Sequence, residues 1–129
     1  MSNDDDVRVV VVDDVVDVAD TLAMQLKLDG YSVFTAYSAA EAILGIEQHH
    51  PHCVLLDIDM PGIDGYELVT LLRHRFKNDL VLIAVSGADD EKARVTEAFS
   101  MVDHYFRKPV DTRALRKVLP LLPSTGRGL

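Results

Sequence analysis

The sequence predicts a doubly wound α/β fold in which five parallel strands alternate with five helices that cover both faces of the sheet. Three observations predict it. Apolar, β-branched runs recur along the chain, and each is followed by a stretch with helical spacing of apolar residues. The runs are nearly continuous in hydrophobicity, as strands buried on both faces are. Strict alternation of strand and helix calls for a parallel sheet joined by right-handed crossovers.

Val7 to Val12, broken only by Arg8, is the first strand and ends at Asp13-Asp14. A helix fits Asp17 to Asp29, with Val18, Leu22 and Leu26 at four-residue spacing as its inward face and Gly30 as its stop. Tyr31 to Thr35 is a short second strand. Ser38-Ala39-Ala40-Glu41 fits a capping box, opening a helix to about Gln48 with Ala42, Ile43 and Ile46 inward. His49-His50-Pro51 ends it. Cys53 to Asp57 is the third strand. The next helix opens at Asp64-Gly65-Tyr66-Glu67, carries Leu68, Leu72 and Phe76 on one face, and closes at Lys77 and Asn78. Leu80 to Val85 is the fourth strand, ending at Ser86-Gly87. Asp89 or Asp90 caps a fourth helix carrying Val95, Ala98, Phe99 and Val102. His104 to Arg107 is the fifth and shortest strand. Asp111 or Thr112 caps a last helix with Ala114, Leu115 and Val118 inward, and Pro120 and Pro123 follow it.

A length of 129 residues suits one core. Residues 1–6 are expected as an acidic disordered tail, 7–119 as the folded domain and 120–129 as a C-terminal tail. The longest apolar run, Leu80 to Val85, falls far short of the ~20 residues that span a bilayer, so no membrane association is expected. The acidic start argues against a signal peptide, which places the chain in the cytoplasm. Cys53 is the only cysteine and sits among apolar neighbours, as a buried small hydrophobe does. A net charge of −8 disfavours direct nucleic-acid binding. That charge is uneven: residues 1–64 hold 13 acids and two bases, whereas 65–129 hold eight acids and 11 bases. The cluster His49, His50 and His52 reads as a solvated loop, since Pro51 interrupts it and no fourth ligand is near in sequence.

Chemistry collects where the strands end. Strand one delivers Asp13 and Asp14, strand three Asp57, strand four Ser86, and strand five Lys108. In open α/β sheets these carboxyl ends share the edge where ligands bind. Three carboxylates brought together resist ionising unless a cation joins them. Oxygen donors suit a hard, partly hydrated Mg²⁺. With the Ser86 hydroxyl and the Lys108 charge, the set describes a site for an anion with three oxygens, such as a phosphoryl group on or near Asp57.

Four stretches then carry a resemblance. They are Val9-Val10-Val11-Val12-Asp13-Asp14, Leu55-Leu56-Asp57-Ile58-Asp59-Met60-Pro61-Gly62-Ile63-Asp64-Gly65, Val85-Ser86-Gly87 and Tyr105-Phe106-Arg107-Lys108-Pro109. Together, over about residues 7 to 119, they resemble the receiver domain of two-component response regulators, of the chemotaxis-regulator kind. The resemblance implies a flavodoxin-like fold with strand order 2-1-3-4-5. It implies that Asp57 accepts a phosphoryl group from a histidine kinase or phosphotransfer protein, forming an aspartyl phosphate. Asp14 is implied to bind Mg²⁺ (or Mn²⁺) directly, Asp13 directly or through water, and Asp59 through its backbone carbonyl. Ser86 and Lys108 are implied to hold phosphoryl oxygens, helped by the Gly87 N–H. Tyr105 matches a switch residue that turns inward when Ser86 moves, and the Lys108–Pro109 bond is implied to be cis. The implied output surface is the fourth helix, fifth strand and fifth helix, with Arg94, Arg107, Arg113, Arg116 and Lys117. The output goes to a downstream protein partner that the residues do not name, from a monomer or a phosphorylation-dependent dimer.

Some positions depart from the family pattern. Val15 and Val16 stand where polar residues or proline are frequent, and Val15 is expected to be exposed beside the site. Met101 replaces a frequent glycine, and Val110 a frequent phenylalanine. None removes a reactive group. Two other readings compete. A phosphohydrolase of the haloacid-dehalogenase type shares the Asp57-Ile58-Asp59 pattern but carries it on the first strand. A receiver-like adaptor that works without phosphorylation has no need of all five site residues.

Overall fold

The computed structural model describes residues 7–58, 65–87 and 101–119. Its strands are β1 (Arg8–Val12), β2 (Ser32–Ala36), β3 (Cys53–Asp57), β4 (Val81–Ser86) and β5 (His104–Arg107). Its helices are α1 (Val16–Leu28), α2 (Ala39–His49), α3 (Gly65–Phe76) and a C-terminal helix (Thr112–Val118), with one 3₁₀ turn at Lys77–Asp79. The strands form one parallel sheet in the order β2-β1-β3-β4-β5. The helix expected from Asp89 or Asp90 lies outside the described residues, apart from Val102. Among the described residues no helix is long and apolar enough to cross a membrane.

The period of two along each strand sorts side chains to opposite faces. Val10, Val12, Val54, Leu56, Leu82 and Ala84 pack with Ala42 and Ile46 of α2 and Leu68 and Leu72 of α3. Val9, Val11, Cys53, Leu55 and Ile83 pack with Ala19, Ala23 and Leu26 of α1 and with Leu115 of the C-terminal helix. Burial pushes the Cys53 thiol far up, so it stays protonated and unreactive.

α1 corrects one expectation. Its buried stripe is Ala19, Ala23 and Leu26, whereas Val18 is 44% exposed and Leu22 only partly buried. Small alanines let the helix lie close on the sheet, and that approach rotates Val18 to the flank. The helix ends in a Schellman motif. The Tyr31 N–H donates to the Leu26 carbonyl at 3.1 Å and the Gly30 N–H to that of Lys27 at 3.0 Å. Gly30 has φ 109°, which favours glycine there. The capping box of α2 is also present in altered form: Ser38 Oγ accepts the Glu41 N–H at 3.1 Å, and Glu41 Oε1 reaches one residue further back, to the Tyr37 N–H at 2.8 Å. Asp111 caps the C-terminal helix by accepting the Arg113 N–H.

The histidine loop is docked rather than simply solvated. The Arg8 guanidinium donates to the carbonyls of His49 and His50, His49 stacks on Phe34, and His52 Nδ1 accepts the Arg8 N–H at 3.0 Å. Burial, then the charge of Arg8, lowers the pKa of His52 below its ordinary value. A histidine with a lowered folded pKa stabilises the fold above its unfolded value of about 6.5, and that contribution is lost as pH falls from there through the lowered folded value. The expected result is a stability loss on the acid side, caused by charging an imidazole that is partly buried beside the Arg8 guanidinium. An Asn at 52 offers an oxygen in place of Nδ1, so His52→Asn should flatten this slope between about pH 7 and 5. Denaturant melts across that range check it, and an unchanged slope would remove His52 from the account.

Candidate functional site

β1 and β3 are neighbours in register, with Val12 opposite Leu56, so the next residues, Asp13 and Asp57, emerge side by side at the carboxyl edge. Both are nearly buried, at 4% and 5% exposure. The Asp13 N–H is held by the Ala36 carbonyl at 3.0 Å, and Asp13 Oδ1 accepts the Val15 N–H at 3.0 Å where α1 begins. Asp14 adds a third carboxylate. One oxygen from each of Asp13, Asp14 and Asp57 lies within 4.8 Å of the others.

Lys108 meets this trio from β5. The Lys108 N–H donates to the Ser86 carbonyl at 3.0 Å, which continues the β4–β5 ladder one step past Arg107. Its Nζ then donates to Asp57 Oδ2 at 3.0 Å and stands 3.5 Å from Asp13 Oδ2. Burial by itself would lower the pKa of this ammonium. The hydrogen bond and charge of Asp57, with the charge of Asp13, outweigh burial and raise it. Lys108 is therefore a permanent cation at neutral pH. The Lys108–Pro109 peptide bond is cis.

Ser86 is wholly buried at the end of β4, and Asp57 pairs with its neighbour Val85. Gly87 is exposed and faces the Lys108 stem, where an added Cβ would meet Lys108 Cδ at 3.7 Å. A cavity of about 710 Å³ opens here, lined by Asp13, Asp57, Gly87 and Lys108 on one side and by Val18 and Leu22 of α1 on the other. Tyr105 is partly buried and packs on the opposite face, with the cluster that includes α2 and α3. Val15 is 49% exposed. Asp59 lies outside the described residues. Asp17 also lines the cavity and was not singled out from sequence, because an acid in a first helical turn reads as a partner of the helix dipole.

The trio fits a small divalent cation. The three oxygens lie within 4.8 Å of one another, whereas around an octahedral Mg²⁺ opposite oxygens are about 4.2 Å and neighbouring ones about 3 Å apart, so the carboxylates would draw together by up to about 1.8 Å to share one ion. Their three charges against one ammonium leave a deficit that such an ion would neutralise. The arrangement offers a nucleophilic carboxylate, a metal seat and a fixed cation at one point, the parts that phosphoryl transfer requires.

Comparison with known proteins agrees. A family model described as response regulator receiver domain matches residues 9–120. The chain is similar to a CheY-like receiver domain protein from Methanospirillum hungatei, at 30% identity and TM-score 0.75, covering 85% of this chain and 87% of that one. It is similar to a signal receiver domain from Bermanella marisrubri, at 29% identity and TM-score 0.78, covering 87% and 93%. It is also similar to the response regulator TrrA from Thermotoga maritima, solved with Mg²⁺ and BeF, at 29% identity and TM-score 0.74, covering 85% and 93%.

Proposed function

The chain belongs to the response-regulator receiver family, and on that premise we propose that Asp57 is its phosphoacceptor, charged by the phosphohistidine of a kinase or phosphotransfer protein. The single observation that carries this is the Lys108 Nζ bond to Asp57 Oδ2 at 3.0 Å beside the carboxylates of Asp13 and Asp14. A carboxylate oxygen of Asp57 attacks phosphorus in line. The P–N bond of the donor breaks, its electron pair stays on the imidazole nitrogen, and that nitrogen takes up a proton. The product is an acyl phosphate on Asp57. Lys108 swings from the carboxylate to a phosphoryl oxygen while staying charged, and the Ser86 hydroxyl and Gly87 N–H donate to the others.

Mg²⁺ (or Mn²⁺), when bound, neutralises phosphoryl charge. Asp13, Asp14, Asp57 and the Asp59 carbonyl are the groups that would hold it. The modification replaces the single charge of a carboxylate by a phosphoryl group of about −1.5 to −2, a net gain of up to about one negative charge and three acceptor oxygens at a point already crowded with carboxylates, enough to bias a two-state element. We assign that element to Ser86 and Tyr105, with Arg107, Arg113, Arg116 and Lys117 on the surface a downstream protein reads. The natural setting for this role is the cytoplasm.

Phosphoramidate with Mg²⁺ tests the proposal. Intact-mass measurement is expected to show one added phosphoryl group, and chelating the metal to suppress it. A protein that binds Mg²⁺ yet gains no mass would sink the phosphoacceptor assignment.

A further inference from the structure

The strand that delivers Lys108 is held at its far end by a side-chain clamp. β5 has four residues, is only partly buried, and occupies the sheet edge beside β4. Burial therefore specifies its register weakly. A slip of one residue would move Lys108 by about 3.3 Å and turn it to the other face. Lys108 nevertheless has to meet Asp57 at hydrogen-bond distance, where displacements of about half an ångström already matter.

Asp103, just ahead of β5, bonds Leu82 twice. Its N–H donates to the Leu82 carbonyl at 2.8 Å, and its Oδ2 accepts the Leu82 N–H at 2.8 Å. The carboxylate thus supplies the acceptor for one more rung of the ladder. Arg73 of α3 closes on it, donating through Nη2 to Asp103 Oδ2 at 3.0 Å. The same guanidinium donates through Nε to the Met101 carbonyl at 2.8 Å, and through Nη1 to the carbonyls of Lys77 and Leu80 at 2.8 and 3.0 Å. One planar fork therefore ties α3, the 3₁₀ turn, the entry to β4 and the approach to β5. An ammonium, with three donors and no plane, cannot span these sites. The side chains of Arg73 and Asp103 are 21% and 45% exposed, so as a surface ion pair alone they would count for little. Their value is geometric.

Resting on the phosphoacceptor reading of Asp57, we propose that Arg73 and Asp103 are positioning residues for phosphoryl transfer, setting the register of β5 and so the reach of Lys108 to Asp57. Asp103 lies about 16 Å of strand from Lys108, and neither clamp residue touches the reacting atoms. The three carboxylates ride on β1 and β3 and do not depend on the clamp, so the metal seat and the phosphoryl clamp should separate on mutation.

The test compares Arg73→Gln, Arg73→Lys and Asp103→Ala with Arg75→Gln, which removes an exposed pair between Arg75, further along α3, and Glu47 of α2. Three quantities are read: the phosphorylation rate with phosphoramidate per folded molecule, the Mg²⁺ affinity, and the nitrogen NMR signal of the Lys108 ammonium in metal-free protein. Arg73→Gln and Asp103→Ala should slow phosphorylation by about tenfold to a hundredfold, with Mg²⁺ affinity changed less than about twofold. They should also move the Lys108 signal towards that of a solvent-exposed lysine. Arg73→Lys should recover only part of the rate, and Arg75→Gln should change nothing. An unmoved Lys108 signal, an unchanged rate, or an equal rate loss in Arg75→Gln would each overturn the proposal. If the wild type takes up no phosphate, the function fails first, and the Lys108 signal still decides whether the clamp positions this lysine.

Discussion

Asp57→Asn takes up no phosphoryl group from phosphoramidate and Mg²⁺ under conditions that charge the wild type. An amide oxygen is a poor nucleophile, and loss of a nucleophile costs roughly a thousandfold or more in rate. The variant should still fold. Asn has nearly the same shape, fits a position 5% exposed, and its oxygen can still accept the Lys108 N–H. Removing one of three crowded carboxylates also relieves repulsion, so metal-free stability should hold or rise. Mg²⁺ affinity should fall, since a ligand is lost. Intact mass, a melting curve and calorimetry check the three parts. Residual charging of Asp57→Asn would mean that the acceptor is another carboxylate of the trio.

Lys108→Met in metal-free buffer is expected to lower the unfolding free energy. Removing one partner of a buried pair costs about 3–5 kcal/mol. The Lys108 side chain is 30% exposed, so about 2 kcal/mol is the expected figure here. Saturating Mg²⁺ should restore most of it, because the ion then supplies the missing positive charge. Mg²⁺ should bind the variant roughly tenfold tighter, having no ammonium to displace from Asp57. The pH dependence has a definite sign. A lysine with a raised folded pKa contributes fully below its ordinary value of about 10.4, and the contribution fades as pH climbs through the raised value. The gap between wild type and variant should therefore stay flat through neutrality and narrow only in strong base. Denaturant melts with and without Mg²⁺ check this. Equal destabilisation in both would show that the lysine's aliphatic stem, not its charge, holds the site.

Much of this fold is legible in the sequence because each strand is an apolar run ended by turn or acid chemistry. β3 and β5 fall at the expected residues, β1 begins one residue later, and β2 and β4 are each displaced by one residue towards the C-terminus at both ends. The gathering of the candidate site residues was legible for the same reason: Asp13, Asp14, Asp57 and Lys108 each lie at or just past the end of a strand, and parallel topology brings strand ends together. What depends on three-dimensional approach was not legible. Four-residue spacing suggested Val18 as core, but alanine at 19 and 23 decided how closely α1 sits. Arg73 is one of several basic residues in the last turn of α3, and Asp103 directly precedes β5. Nothing local marks them as partners, since 30 residues separate them. The docking of Arg8 onto the His49 and His50 carbonyls was hidden in the same way, across 41 and 42 residues.

The strand order has a consequence for the order of assembly. β1 lies between β2 and β3, so a three-stranded sheet with its two crossover helices is complete in sequence by Asp57. A chain emerging from the ribosome thus gathers its three repelling carboxylates early and receives their cation, Lys108, almost last. Docking of β5 neutralises part of that accumulated charge. The last strand to arrive is therefore drawn in by electrostatic attraction as well as by burial. Amide exchange should record this hierarchy, with β1 and β3 protected longest and β5 opening first in metal-free protein. Added Mg²⁺ should lessen the pull on β5, because a divalent ion already satisfies the acids.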